Sequence, residues 1–136
     1  WADQIDMGGS TDKALGRRLL AETADWPERW RGDERDVAVG REIVKAMLPF
    51  LKALVASGLG ATTLRRHFGN AWLLGGEIVR CASLDPSWRR MRGSQLILEH
   101  VDEEGGPLQR GGATNDEQRP FDATCRQLHR FLGGRH

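Results

Sequence analysis

The sequence predicts an all-α fold, a compact bundle of four to five helices with a central helical hairpin at about 36–83. Three observations carry this reading. Apolar residues recur at helical spacing over 43–55, 64–82 and 121–132. A Gly58-Leu59-Gly60 turn separates the first two of these stripes. The chain of 136 residues has room for one domain with a real core.

Taken in order, Trp1 to Ser10 contains Gly8 and Gly9 and shows no periodicity, so it reads as a loose N-terminal arm. A single helical domain follows over 11–132, with 133–136 as a tail. The first helix is expected from Thr11 to Ala24, capped by Ser10 or Thr11, with Leu15, Leu19 and Leu20 as a short apolar stripe. Trp26-Pro27 should end it, because a residue before proline is pushed out of helical geometry. Trp26 to Arg35 then reads as a connector that packs its two Trp rings onto the body.

The hairpin comes next. Over Asp36–Ser57, Ile43, Met47, Phe50, Leu51 and Leu54 repeat at helical spacing, and Val44, Leu48 and Val55 widen the stripe. Pro49 inside this run predicts a kink or a division. Gly58-Leu59-Gly60 stops the run, with glycine where a left-handed cap is wanted. Over Thr62–Ser83 the expected buried arc is Leu64, Phe68, Ala71, Trp72, Gly75, Ile78, Val79 and Ala82. Gly75-Gly76 inside a helix is unfavourable by about 1 kcal/mol per glycine relative to alanine, so either a neighbour packs closely there or the helix bends.

Beyond the hairpin, Leu84-Asp85-Pro86-Ser87 reads as a turn and Trp88–Gly93 as basic and irregular. Ser94 caps a short helix to about Asp102, with a short strand as the alternative. Glu103–Asn115 is a Gly-rich loop. The last helix is expected over Pro120–Leu132, with proline at its first position. The predicted core holds Ile43, Met47, Leu51, Leu54, Leu64, Phe68, Trp72, Ile78, Leu128 and Phe131.

The formal net charge of +1 demands no polyanionic partner. Its distribution says more. Between Ala61 and Ser94, Arg65, Arg66, Arg80, Arg89, Arg90 and Arg92 face only Glu77 and Asp85. Arginine makes planar, bidentate contacts to phosphate that lysine cannot, and a helix N-terminus also favours anions. These six arginines are the candidate nucleic-acid contacts. A solvated helix face is the plainer reading of the same residues. Leu73, in the middle of the polar arc, and Trp88, beside the arginines, are the candidate partner contacts.

The run Gly58-Leu59-Gly60-Ala61-Thr62-Thr63-Leu64-Arg65-Arg66-His67 resembles the turn that opens a helix in the core-binding domain of tyrosine recombinases, a helical DNA clamp. The resemblance covers about 50 residues and implies helical architecture and DNA contact. It implies no strand cleavage, since that family needs a nucleophilic tyrosine and this chain has none. Arg65-Arg66-His67 through Trp72–Arg80, with Asp102–Pro107 and Phe121–Arg126, is also similar to a group of small bacterial helical proteins. That second resemblance brings no activity with it.

Other chemistry finds little support. Cys81 and Cys125 form no C-x-x-C motif and are expected to be reduced, buried thiols. Cys125 and His129 share a helix face, but zinc sites usually show a close pair on each side, so no metal and no cofactor are expected. No nucleophile elbow or phosphate-binding loop occurs. Arg130 and His136 have loosely the spacing of a helical ribonuclease. No apolar run approaches the roughly 20 residues of a membrane span, and the first 15 residues lack a signal-peptide pattern. The expected location is the cytoplasm. The chain opens on Trp1 and reads as a fragment or processed product. The expected function is a non-catalytic nucleic-acid-associating module of a larger bacterial assembly, of mobile-element or defence type. A protein–protein adaptor is the alternative and a small ribonuclease the second.

Overall fold

A computed structural model describes residues 13–108 and 114–133. The described residues form helices and turns and contain no strand. The helices are α1 (13–22), α2 (Trp26–Trp30), α3 (Arg35–Ala56), α4 (Ala61–Leu84), α5 (Gly93–His100) and α6 (Asn115–Gly133). The all-α bundle with a central α3–α4 hairpin is as the stripes predict. None of these helices is long and apolar enough to cross a membrane. The arm at 1–10 lies outside the described residues.

The hairpin forms as its sequence dictates. Ile43, Met47 and Leu51 are fully buried on α3, as are Leu74 and Ile78 on α4. Gly58 takes the left-handed conformation (φ +78°) that ends α3. Pro49 neither ends nor divides α3, and it points outward, so its ring displaces no packing. At the start of α3 the buried carboxylate of Asp36 accepts the backbone N–H groups of Gly32 (2.9 Å) and Asp33 (3.0 Å), which fixes the turn into the helix.

Residues 26–35 depart from the expected connector. After α1 a single 3₁₀ turn, Thr23–Asp25, leads into the new helix α2, with Pro27 in its first turn where its missing N–H does no harm. The two tryptophans pack inward as expected. Trp26 is buried, against Trp30 (ring centroids 5.6 Å) and edge-on to Phe68 (6.4 Å). A Cβ at Gly40 would come within 2.9 Å of Pro27 Cα, and one at Gly75 would collide with the Trp30 indole. The paired glycine of α4 is therefore a seat for a ring, and the Trp30 Nε1–H donates to the Trp72 carbonyl beside it (3.0 Å).

Residues 88–93 are more regular than expected, with a 3₁₀ turn over Pro86–Arg90 capped by the Asp85 side chain. α5 is a helix, so the strand alternative is not realised; Gly93 lets its first turn lie directly on the Glu42 carbonyl of α3.

α6 begins five residues before the expected start at Pro120, because Thr114 caps it. Its hydroxyl accepts the Glu117 N–H (3.2 Å) and donates to the Glu117 carboxylate (3.4 Å). Thr114-Asn115-Asp116-Glu117 is a capping-box sequence, a signal the Pro120 start overlooks. The loop from Asp102 to Leu108 is pinned onto α6. Asp122 accepts the Gly106 N–H (3.1 Å) and the Gln118 amide (2.9 Å), while Arg126 donates to the Glu104 carbonyl (3.2 Å).

The core contains most of the expected residues, with two corrections. Phe131 is half-buried against Phe50 (5.7 Å). Trp72 is outside the core, 38% exposed, and Leu74 takes the buried place. The buried arc of α4 centres on Ala71 rather than Trp72. The indole therefore lies at its edge, where the size of the residue misleads a periodicity argument.

Candidate functional site

The six arginines do not form one continuous surface. Arg65 and Arg66 are exposed on the first turns of α4. No side chain among the described residues caps this helix, because Gly60 stands at its N-cap. Free backbone N–H groups and two guanidinium groups therefore share one end of the helix, an arrangement that attracts anions.

Arg80 lies at the other end and is neutralised. It meets Glu77 at 2.6 Å, and this ion pair raises its pKa above the ordinary arginine value. Arg89 is half-buried; one guanidinium nitrogen donates to the Ser83 carbonyl (3.4 Å), and its Nε is buried without a hydrogen-bond partner among the described residues. Arg90 and Arg92 are exposed. The cluster read from sequence is thus two pairs of free cations separated by the length of α4, with Arg80 and Arg89 engaged between them.

The structure adds cations that sequence order conceals. α1 lies alongside the start of α4 and brings Lys13 and Arg17 to a groove of about 470 Å³, shared with Val55, Leu59 and Leu64. Among the described residues no carboxylate lines this groove. Gly16 makes the approach possible, since a Cβ there would come within 2.5 Å of Val55. The helical spacing of Leu15, Leu19 and Leu20 was the only signal for this placement. It fixes which face of α1 is buried without saying on what.

Both candidate partner residues stand on the surface, in different settings. Leu73 is 42% exposed on the outer face of α4. Trp88 is half-buried, edge-on to His100 at 4.8 Å, with its ring partly used in packing. Trp72, which the sequence places in the core, is the larger exposed group. It borders two adjoining hollows beside α1 and α2 that also share Glu22 and Trp26.

Two of the remaining candidates, His67 and Cys125, are buried in the packing. His67 is buried and its Nδ1 lies 2.8 Å from the Thr124 hydroxyl, which also accepts from the Asn70 amide (2.9 Å). Burial, and secondarily the charge of Arg66, lower the His67 pKa from 6.5. Cys125 is fully buried and its thiol is pushed up to about 12, chiefly by desolvation and next by Asp122. Both cysteines are free, and Cys81 is only half-buried, less than expected. No group of three or more metal-ligating side chains occurs among the described residues. Arg130 is exposed, and His136, its proposed partner, lies outside the described residues.

No family model matches the chain, and neither does any curated protein or solved structure.

Proposed function

We propose that the chain is a non-catalytic module that associates with nucleic acid through its phosphates, as part of a larger bacterial assembly. The observation that carries this reading is the end of α4. Arg65 and Arg66 project freely from an uncapped helix N-terminus, and α1 sets Lys13 and Arg17 along the same end. Such contacts position a backbone and carry little base information. The tyrosine-recombinase-like turn contributes these same residues.

The test is affinity for a labelled DNA strand, an RNA strand and a DNA duplex, measured across a salt series. Affinity falls as salt rises, with a slope in log–log form of about −0.7 to −0.9 per phosphate contacted. Arg65→Glu combined with Arg66→Glu abolishes binding. Arg80→Gln weakens it less than Arg65→Gln, since Glu77 already neutralises Arg80. Absence of binding at low salt rejects the reading.

A protein–protein adaptor is the second reading, favoured by Leu73 and Trp72 standing exposed side by side. Purification from the native host that recovers a stable protein partner, lost on Leu73→Asp, would support it.

A further inference from the structure

Within the nucleic-acid reading, and resting on it, the outer face of α4 contains a place that phosphate contacts alone do not explain. Arg65, Gly69 and Trp72 follow one another along one face, separated by about one helical turn each. Gly69 leaves a gap in that row, and a Cβ built there meets nothing within 4 Å. Phe68, Leu19, Glu22 of α1 and Trp26 of α2 also line the gap, giving a hollow of about 260 Å³. That is below the range of about 300–1,000 Å³ typical of sites for drug-sized ligands, so it suits one planar ring group.

The backbone beneath the wall of the hollow is held in place. Trp72 has no aromatic partner among the described residues, yet its backbone carbonyl is fixed by Trp30 Nε1 at 3.0 Å. Its indole is 38% exposed, so part of the ring is open to the hollow. The hollow beyond it, lined by Glu22, Asp25, Trp26, Arg29 and Trp72, carries two carboxylates against one guanidinium and does not favour phosphate. A bound backbone would enter from the Arg65 side, leaving a base edge rather than a phosphate toward Glu22. Carboxylates accept hydrogen bonds from the amino groups on such edges.

We propose that this hollow seats one unpaired base of a single-stranded nucleic acid, stacked on Trp72, with the adjoining phosphate on Arg65. Every base has a π-face, so stacking of this kind tolerates sequence. A base held in a duplex cannot reach the hollow, so the protein prefers single strands.

The experiment measures binding of the full chain to a fluorescein-labelled, mixed-sequence DNA strand, alone and annealed to its complement, at one low salt concentration. The strand is expected to bind more tightly than the duplex. Trp72→Ala removes the stacking surface and lowers single-strand affinity by about tenfold. Gly69→Leu fills the hollow without changing charge, at an open helix position that tolerates a side chain, and lowers it similarly. Thermal melts of both variants establish that they remain folded. Equal affinity for strand and duplex, unchanged by either substitution, overturns the seat while leaving the phosphate reading intact. Failure of both DNA forms to bind rejects the phosphate reading and the seat together.

Discussion

The Trp30 indole occupies the space that a side chain at position 75 would need, and its Nε1–H donates to the Trp72 carbonyl 42 positions away at 3.0 Å. One ring thus joins α2 to α4, covers the paired glycine of a long helix and steadies the backbone under the most exposed tryptophan among the described residues. Gly75→Ala is expected to destabilise the protein by about 1–3 kcal/mol through overpacking. Gly69→Ala, at an open position of the same helix, is expected to stabilise it by up to about 1 kcal/mol. Urea unfolding of the two variants separates packing from helix propensity, since propensity alone predicts stabilisation in both.

Gly93→Ala tests a harder contact. The new methyl group would run into the Glu42 carbonyl, which is backbone and cannot rotate away as an indole can. The expected loss is at or above the top of the range of about 1–3 kcal/mol for overpacking. Thermal unfolding would show it, and a loss smaller than that of Gly75→Ala would mean that α5 can slide along α3.

The Thr124 hydroxyl joins His67 and Asn70 of α4 to α6 in a buried site. Thr124→Val keeps the shape but withdraws the oxygen, leaving polar groups of both neighbours without that partner. The expected cost is about 1–3 kcal/mol, measured by chemical denaturation.

His67 also sets a pH dependence. Its folded pKa lies below 6.5, so the unfolded chain binds the proton more readily. Its contribution is fully present above about pH 6.5 and is lost as pH falls through the lower folded value. Unfolding midpoints recorded from pH 7.5 to 5 are expected to decline, with a smaller decline in His67→Gln than in the parent protein.

The thiols differ in the same spirit. Cys125, fully buried with its thiol pushed up to about 12, stays protonated and shielded. A thiol reagent at mild alkaline pH is expected to modify Cys81 in the native protein and both cysteines after unfolding. Rapid modification of Cys125 in the native state would show that the Gly106 loop covering it opens.

The long helices were legible in sequence because each has a stripe broad enough to reveal its period. Ile43–Met47–Leu51 and Leu64–Phe68–Ile78 lie where the spacing places them. α2 was not legible, because five residues cannot display a period and Pro27 reads as a stop until its role in a first turn is seen. The start of α6 was missed for a different reason: Pro120 drew the boundary, while Thr114 and Glu117, which cap the helix, are polar and leave the stripe unchanged. At the site, charge was visible but its engagement was not. The i,i+3 spacing of Glu77 and Arg80 on one helix already allows their pairing, but nothing in the order of residues shows that Arg89 is folded back on Ser83 or that Lys13 and Arg17 arrive from α1.

The short helix α2 also fixes an order of events in folding. Isolated helices below about 12–15 residues are marginal in water, so α2 can persist only when docked. Its seats at Gly40 and Gly75 lie on two different helices, and both must be in place before it fits. Pairing of α3 with α4, joined by the turn Ser57–Gly60, completes the second of these seats, so full docking of α2 is expected to follow it. Amide hydrogens of α2 should accordingly exchange with solvent well before those in the middle of α3 and α4. The same opening would release the backbone of Trp72 without unfolding the helix that carries it.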